Sequence, residues 1–317
     1  MKKQFTAILL TLGFSMHSLL AADYSSELDY FQELPVVLTA SRLLQPLSEA
    51  PNAMTVIDRK MIVASGFRTI PELFKQVPGM YVGYYKGNQP FVSYHGSPDQ
   101  YARRMQVMID GRSVYMPPMS MVDWTTLPIT VEDIERIEVI RGPAAASHGA
   151  NSTQGVISII TRDADAVNGK QLSVTRGDKG VNDVAAHFGK RGEAFDYRMT
   201  LAYTADNGYD NLSAIPGSVP RAALPAAGLL NNSFDNNQAR LLNYRAGYHP
   251  NGVDSFDLQF GFNHDIKNVG WTDSPANPVH DLISNSGFLQ LGWIRSLENA
   301  AELKVQYHHT RHDQHEA

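Results

Sequence analysis

The chain contains no cysteine among its 317 residues. That excludes a disulfide framework, thiolate metal centres and cysteine nucleophiles. No run approaches the roughly 18 consecutive apolar residues that a membrane-spanning helix needs. Positive charge is also scarce: the formal net charge is −5, so nothing resembles the basic footprint of a nucleic-acid binder. G-x-S-x-G, H-E-x-x-H, Walker A and dinucleotide-type glycine patterns are absent as well, and catalysis finds no positive support.

The first residues point to export. Lys2 and Lys3 supply a positive start, Phe5 to Phe14 is mostly apolar, and Leu19-Leu20-Ala21-Ala22 gives a small-residue end. This reads as a signal peptide over 1–21, cleaved after Ala21 or after Ala22. An exported chain without a spanning helix is periplasmic, secreted or an outer-membrane barrel.

Residues 22–43 read as a polar, acidic leader with a short β-prone run at Val36, Val37, Leu38 and Thr39. Such a run can open its own domain or pair with a partner's strand through main-chain hydrogen bonds. Residues 44–165 read as a compact α+β domain. Met54 to Ile57 is a strand, Asp58 caps a helix from Arg59, and Thr69 with Glu72 opens a second helix that Pro78-Gly79 ends. Tyr81 to Tyr85 and Phe91 to Tyr94 flank a turn. Arg104 to Ile109 runs into the hairpin turn Asp110-Gly111. Residues 132–162 read as strand, Gly142-Pro143 turn, small-residue segment and second strand, with Ile134, Ile137, Val139 and Ile140 as the first apolar set and Val156, Ile157, Ile159 and Ile160 as the second.

From about residue 170 the period becomes two. Phe195, Tyr197, Met199, Leu201 and Tyr203 alternate with Asp196, Arg198, Thr200 and Ala202. Strands are expected at 170–177, 181–189, 195–203, 241–249, 256–263, 287–296 and 302–309. Their lengths approach the 9–11 or so residues of a tilted membrane strand. Short connections (190–194, 249–253, 297–300) alternate with long polar ones (205–238, 266–286), and the short 178–180 turn falls on the long side. Antiparallel transmembrane strands of an incomplete barrel over 170–317 fit this better than a soluble sandwich.

Taken in order, Ile70-Pro71-Glu72-Leu73-Phe74-Lys75-Gln76-Val77-Pro78-Gly79-Met80, Val107 to Tyr115, Leu127-Pro128 with Asp133 to Pro143, and His148-Gly149-Ala150-Asn151 with Gln154 to Thr161 resemble the plug domain of TonB-dependent outer-membrane receptors. The likeness covers roughly 34–165. It implies a barrel of about 22 strands filled by the plug, an external ligand site, and a TonB box at Val36, Val37, Leu38 and Thr39. The chain departs from the family at His95, where an arginine is usual, at Gln154, which replaces a glycine, and at His148, which replaces an aromatic. Seven strands cannot close such a barrel, so a portion of a longer barrel is expected, one that would not form a heat-resistant barrel alone.

The resemblance further implies two plug segments reaching an external pocket. One holds Tyr84, Tyr85, Lys86, His95, Tyr101, Arg103 and Arg104; the other holds Tyr115, Met116, Met119 and Trp124. Aromatics with cations suit an aromatic, anionic iron chelate. Glu135, Arg136, Glu138 and Arg141 are expected as structural charges paired between plug and wall. His308, His309, His312 and His315 alternate on a strand end and form no obvious metal set, and Arg176-Gly177-Asp178 is a plain turn. The expected function is energy-coupled uptake of a ferric siderophore or similar metal chelate, with TonB, the chelate and outer-membrane lipid as partners and no cofactor. Haem, cobalamin, a signalling receptor and a soluble periplasmic binding fragment are the alternatives.

Overall fold

The computed structural model describes residues 53–95, 104–116, 119, 121–149, 151–209, 234–270, 275–298 and 301–317, together with the backbone of Val36–Val37 and Gln45–Pro46. The expected signal peptide, most of the leader, Leu38, Thr39, Tyr101 and Arg103 lie outside the described residues. Strand β1 (Val36–Val37) pairs antiparallel with β2 (Gln45–Pro46).

The plug is built on β3 (Ala53–Ile57), β4 (Met80–Tyr84), β5 (Pro90–Tyr94), β6 (Met105–Ile109), β7 (Arg112–Ser113), β8 (Ile134–Arg141) and β9 (Gly155–Thr161). Five of these make one sheet in the order β3-β8-β9-β6-β7, and β4 and β5 form a separate hairpin. β8 and β9, expected as the two halves of residues 132–162, are antiparallel neighbours from Ile134↔Thr161 to Arg141↔Gly155, with a register shift between Ile134 and Arg136. β6 lies parallel to β9. The Asp110-Gly111 turn takes positive φ at both residues, 48° and 80°, as a two-residue hairpin requires.

Helix α1 (Arg59–Ser65) starts where Asp58 accepts from the Met61 amide and stops at Gly66 in the left-handed region. Helix α2 is shorter than its pattern suggested. It spans Ile70–Leu73 and tightens at once into a 3-10 turn over Phe74–Gln76. Thr69 caps it only loosely, because its hydroxyl donates to the Glu72 carboxylate rather than accepting from a backbone amide. A four-residue helix α3 (Ala145–His148) fills the small-residue segment. Ile57, Leu73, Phe74, Ile109, Ile134, Ile137, Ile157 and Ile159 are sealed in the plug core. Each such side chain contributes on the order of 2 kcal/mol of burial.

The wall is a seven-stranded antiparallel sheet in strict sequence order: β10 (Gly169–Arg176), β11 (Asn182–Lys190), β12 (Phe195–Asp206), β13 (Asn237–Tyr248), β14 (Asp254–Val269), β15 (His280–Ser296) and β16 (Glu302–Glu316). The sheet is open, with β10 and β16 at its edges. The expected strand number holds and the lengths do not. β14 and β15 reach 16 and 17 residues, and sixteen consecutive pairs from Asp254↔Arg295 to Val269↔His280 zip them together. The connection expected over 266–286 therefore shrinks to 270–279. Polar residues there do not end the strands, because both backbones find ladder partners.

Alternation sorts the faces. Along β12, Asp196, Arg198 and Thr200 are buried, the last two against the plug, while Phe195 and Leu201 are exposed. The outward face carries a contiguous apolar surface, as lipid requires. Towards the short turns it bears rows of rings: Tyr197, Tyr244 and Phe260 stack in sequence, and so do Tyr248, Phe256 and Trp293. No helix of the described residues is long and apolar enough to cross a membrane.

Candidate functional site: the plug–wall contacts and the upper loops

Inward polar residues of the wall meet the plug in tiers. In the lower tier, nearer the short turns, Arg198 is buried and donates to Asp133 Oδ1 (3.2 Å), the Arg162 carbonyl (2.7 Å), Thr161 Oγ1 (3.0 Å) and Asn243 Oδ1 (2.9 Å). Thr200 adds a second bond to Asp133. Such a cluster is tolerated inside a protein because every charge has partners. Arg245 joins Asp257 of the wall to Asp163 of the plug, both at 2.8 Å.

Higher up, Asp123 of the plug accepts from Lys267 Nζ at 2.6 Å, and Thr125 Oγ1 accepts from the same ammonium at 3.0 Å. Burial opposes the charge on Asp123, but Lys267 and the Thr125 bonds outweigh it and hold the carboxyl below the ordinary range. Asn243 and Asn263 donate to the carbonyls of Pro128, Thr125 and Leu127, and Ser286 donates to that of Thr126.

The β4–β5 hairpin forms the top tier. Its tip docks where the long 207–236 and 270–279 connections leave the wall. The Gly87 amide donates to Asp235 Oδ2 (2.7 Å), Asn88 donates to the Asn236 and Asn268 carbonyls (3.0 and 2.7 Å), and Lys86 Nζ donates to the Phe234 carbonyl (3.2 Å). Gly87 fits closely here: a Cβ would lie 2.6 Å from Asp235 Oδ2 and 3.1 Å from the Gly208 Cα. Arg68 spans the seam beside it, bonded to Asp183 at 3.0 Å and Asp206 at 2.8 Å.

The expected ligand residues separate under this geometry. Tyr85 is exposed at the hairpin tip. Tyr84 is half-buried with its ring edge-on to Tyr209 at 6.0 Å, and burial, helped by Glu72, pushes its hydroxyl up to about 12. Lys86 is buried as a docking residue, and burial lowers its pKa against the pull of Asp235. His95 stands at the other end of the hairpin, next to Tyr94 (ring centroids 4.2 Å apart) and near Gly79, because Tyr84 pairs with Pro90 and Met80 with Tyr94. Arg104 is exposed at the start of β6, its carbonyl taken by the Gln154 amide. Met116 closes a small loop by bonding Met121, Tyr115 packs on the plug core, and Met119 is exposed.

Trp124, expected to reach the external pocket, packs in the plug and also borders the cavity beside α1 and α2. It is buried in the plug core, 5.4 Å from Phe74. The charges of β8 also differ from expectation. Arg136 pairs with buried Glu138 at 2.9 Å along the same strand, Glu135 lies 4.0 Å from Arg162, and Arg141 reaches the Met54 carbonyl. These contacts stay within the plug. Asp123, Asp133, Arg68 and Asp163 reach the wall instead, along with Asn88 and the Gly87 amide. The inward polar rows of the wall strands signalled half of each contact, whereas the partners, 65 to 180 residues away, carried no local signal. Among the described residues no group of His, Asp and Glu is placed to hold a metal ion.

Residues 46–156 match the family model described as TonB-dependent Receptor Plug Domain. These residues thus form a TonB-dependent receptor plug domain. The chain is 32% identical over 164 residues to a vitamin B12 transporter of Photobacterium profundum, covering 51% of this chain and 25% of that protein. It is 33% identical over 133 residues to an iron-regulated outer membrane virulence protein of Vibrio cholerae, covering 40% and 20%. The TonB-dependent receptor fold extends through the wall: the ferripyoverdine receptor of Pseudomonas aeruginosa superposes with TM-score 0.69 at 14% identity, over 89% of this chain and 37% of that one. The alcaligin outer-membrane receptor of Bordetella pertussis gives 0.64 at 14%, over 88% and 42%. The chain thus spans about a quarter of the curated relatives it matches and about two fifths of these solved receptors. The family is one of receptors and transporters, not of enzymes.

Proposed function

We propose that this plug and wall serve energy-coupled uptake of a metal chelate across the outer membrane, with the long-connection side facing outward. The observation that carries the reading is the character of the plug–wall contact. It is built from hydrogen bonds and ion pairs such as Arg198–Asp133 and Lys267–Asp123, which water can replace when the plug is pulled, whereas an apolar seal would have to be torn open. Val36 to Thr39 act as the TonB box, offering strand edges to the inner-membrane partner.

A ferric siderophore is the favoured cargo, since exposed Tyr85 and Met119 with Arg104 nearby in sequence suit an aromatic, anionic chelate. Cobalamin is the second reading, because relatives named as vitamin B12 transporters match the chain at 28–32% identity. Growth of producing cells on single ferric siderophores, and on cyanocobalamin as sole corrinoid, separates the two. Replacing Val36 to Thr39 by prolines should abolish uptake of whichever is taken; unchanged uptake would sink the TonB-box assignment. Fractionation should place the protein in the outer membrane, and a soluble periplasmic product would favour a binding fragment.

A further inference from the structure

The plug loop between β7 and Asp123 has an unusual chemistry. Three of the chain's eleven methionines, Met116, Met119 and Met121, fall within six residues. From Ser113 to Val122 there is no Asp, Glu, His, Lys or Arg. Asp123, the first carboxylate after the loop, is taken up by Lys267 at 2.6 Å. Sulfur is therefore the foremost metal donor that the side chains of this loop offer.

The backbone draws the three sulfurs together. Met116 and Met121 form an isolated antiparallel bridge, with the Met116 amide donating to the Met121 carbonyl at 2.9 Å. Residues opposite each other in such a bridge project to the same side, with Cβ atoms about 5 Å apart. The Met119 amide donates back to the Met116 carbonyl at 3.2 Å. That closes a four-residue turn and keeps the third Cα within about 7 Å of the first. Unbranched, flexible methionine side chains span such distances easily. Tyr115 and Val122 pack into the plug core and anchor the loop at both ends. The methionines themselves are not sealed there. Met119 is 45% exposed and the other two are half-buried, whereas Met105, which fills the core, is 2% exposed.

We propose that Met116, Met119 and Met121 form a three-thioether site for a soft monovalent cation, Cu(I) or its analogue Ag(I). Thioether sulfur is polarisable and neutral, which suits such an ion and not the hard cations that seek carboxylate and water. A divalent ion would cost about four times as much to desolvate, because that cost grows as the square of the charge, and the loop has no anionic side chain to offset it. A thioether also has no proton to lose, so binding at this site is indifferent to pH where imidazole or thiolate sites are not. The site is independent of the chelate uptake proposed above and is tested apart from it.

Ag(I), which is stable in air, is the probe. It is titrated in chloride-free buffer into the purified, detergent-solubilised full chain. The parent should bind one Ag(I) that stays bound at about pH 5, where histidines are protonated. Met119→Leu, which keeps size and apolarity without the sulfur, should weaken binding about tenfold. The triple variant Met116→Leu/Met119→Leu/Met121→Leu should remove it. Met61→Leu, at an exposed methionine of α1, should change nothing. X-ray absorption at the silver edge should show sulfur neighbours alone, and Cu(I) supplied anaerobically should displace the silver while equimolar Zn(II) should not. Parent-like binding by the triple variant, release at about pH 5, nitrogen or oxygen around the silver, or displacement by Zn(II) would each overturn the site.

Discussion

Lys267 of the wall and Asp123 of the plug meet at 2.6 Å, both nearly sealed from solvent, although 144 residues separate them. The pair fastens the segment between the 116–121 loop and β8 to the sheet. Removing one partner strands the other. Asp123→Ala leaves Lys267 with Asp265 at 3.7 Å as its nearest carboxylate, and stability should fall by about 3 kcal/mol. Urea unfolding followed by tryptophan emission, with Trp124 next in sequence as reporter, measures this. The double variant Asp123→Leu/Lys267→Met should recover only part of the loss, because buried Asp265 then loses Lys267, its ion partner at 3.7 Å.

The same pair makes plug seating sensitive to acid. The Asp123 carboxyl is held below its ordinary value in the folded protein, so its contribution is fully present above the unfolded carboxylate pKa of about 3.9. That contribution is lost as pH falls through the lower folded value. Protease susceptibility of the plug should rise below about pH 4, and Asp123→Asn should flatten that part of the profile. An identical profile in the variant would show that other carboxylates control acid release.

Trp124 separates a structural role from a recognition role. Its ring packs on Phe74 inside the plug core, so Trp124→Ala should cost about 3–5 kcal/mol of stability. Chelate affinity of the fraction that stays folded should be unchanged. A selective loss of binding at full stability would return the residue to the ligand site.

Gly87 tests the docking of the upper hairpin. A methyl group there would collide with the Asp235 carboxylate that holds the tip. Gly87→Ala should free the tip, seen as faster amide exchange across 85–89, with the core amides of β8 and β9 unaffected.

Tyr85 is the exposed aromatic of that tip. If it stacks on cargo, Tyr85→Ala should weaken chelate binding about tenfold, in line with a stacking contact of roughly 1–1.5 kcal/mol. Its unfolding midpoint should stay at the parent value, and equal affinity would take Tyr85 out of the site.

Local chemistry made much of the architecture legible. Asp58 starts α1, Asp110-Gly111 turns β6 into β7, and the apolar sets of 132–162 become paired central strands because each signal acts within a few residues. Period-two alternation marked all seven wall strands and the two faces of four of them. Strand ends were misjudged where polar residues continue a ladder, as in Ile266–Val269 and His280–Ser286, since pairing is a property of two strands. The ligand set was overdrawn for a related reason. Lys86, His95 and Trp124 are close in sequence and chemically apt, yet the hairpin sends the first to a wall contact and the second to its far end. The third goes into the core.

Sequence alone determined that this is a compact α+β domain followed by half-buried antiparallel strands, because side-chain period, capping and turn residues are encoded at short range. Only tertiary structure decided which buried charges meet. Arg136 answers to Glu138 two residues away, while Asp133 waits for Arg198 and Asp123 for Lys267. A buried charge settles wherever folding brings an opposite charge and hydrogen-bond partners within reach, and that depends on how the chain closes around the plug, not on its neighbours along the chain.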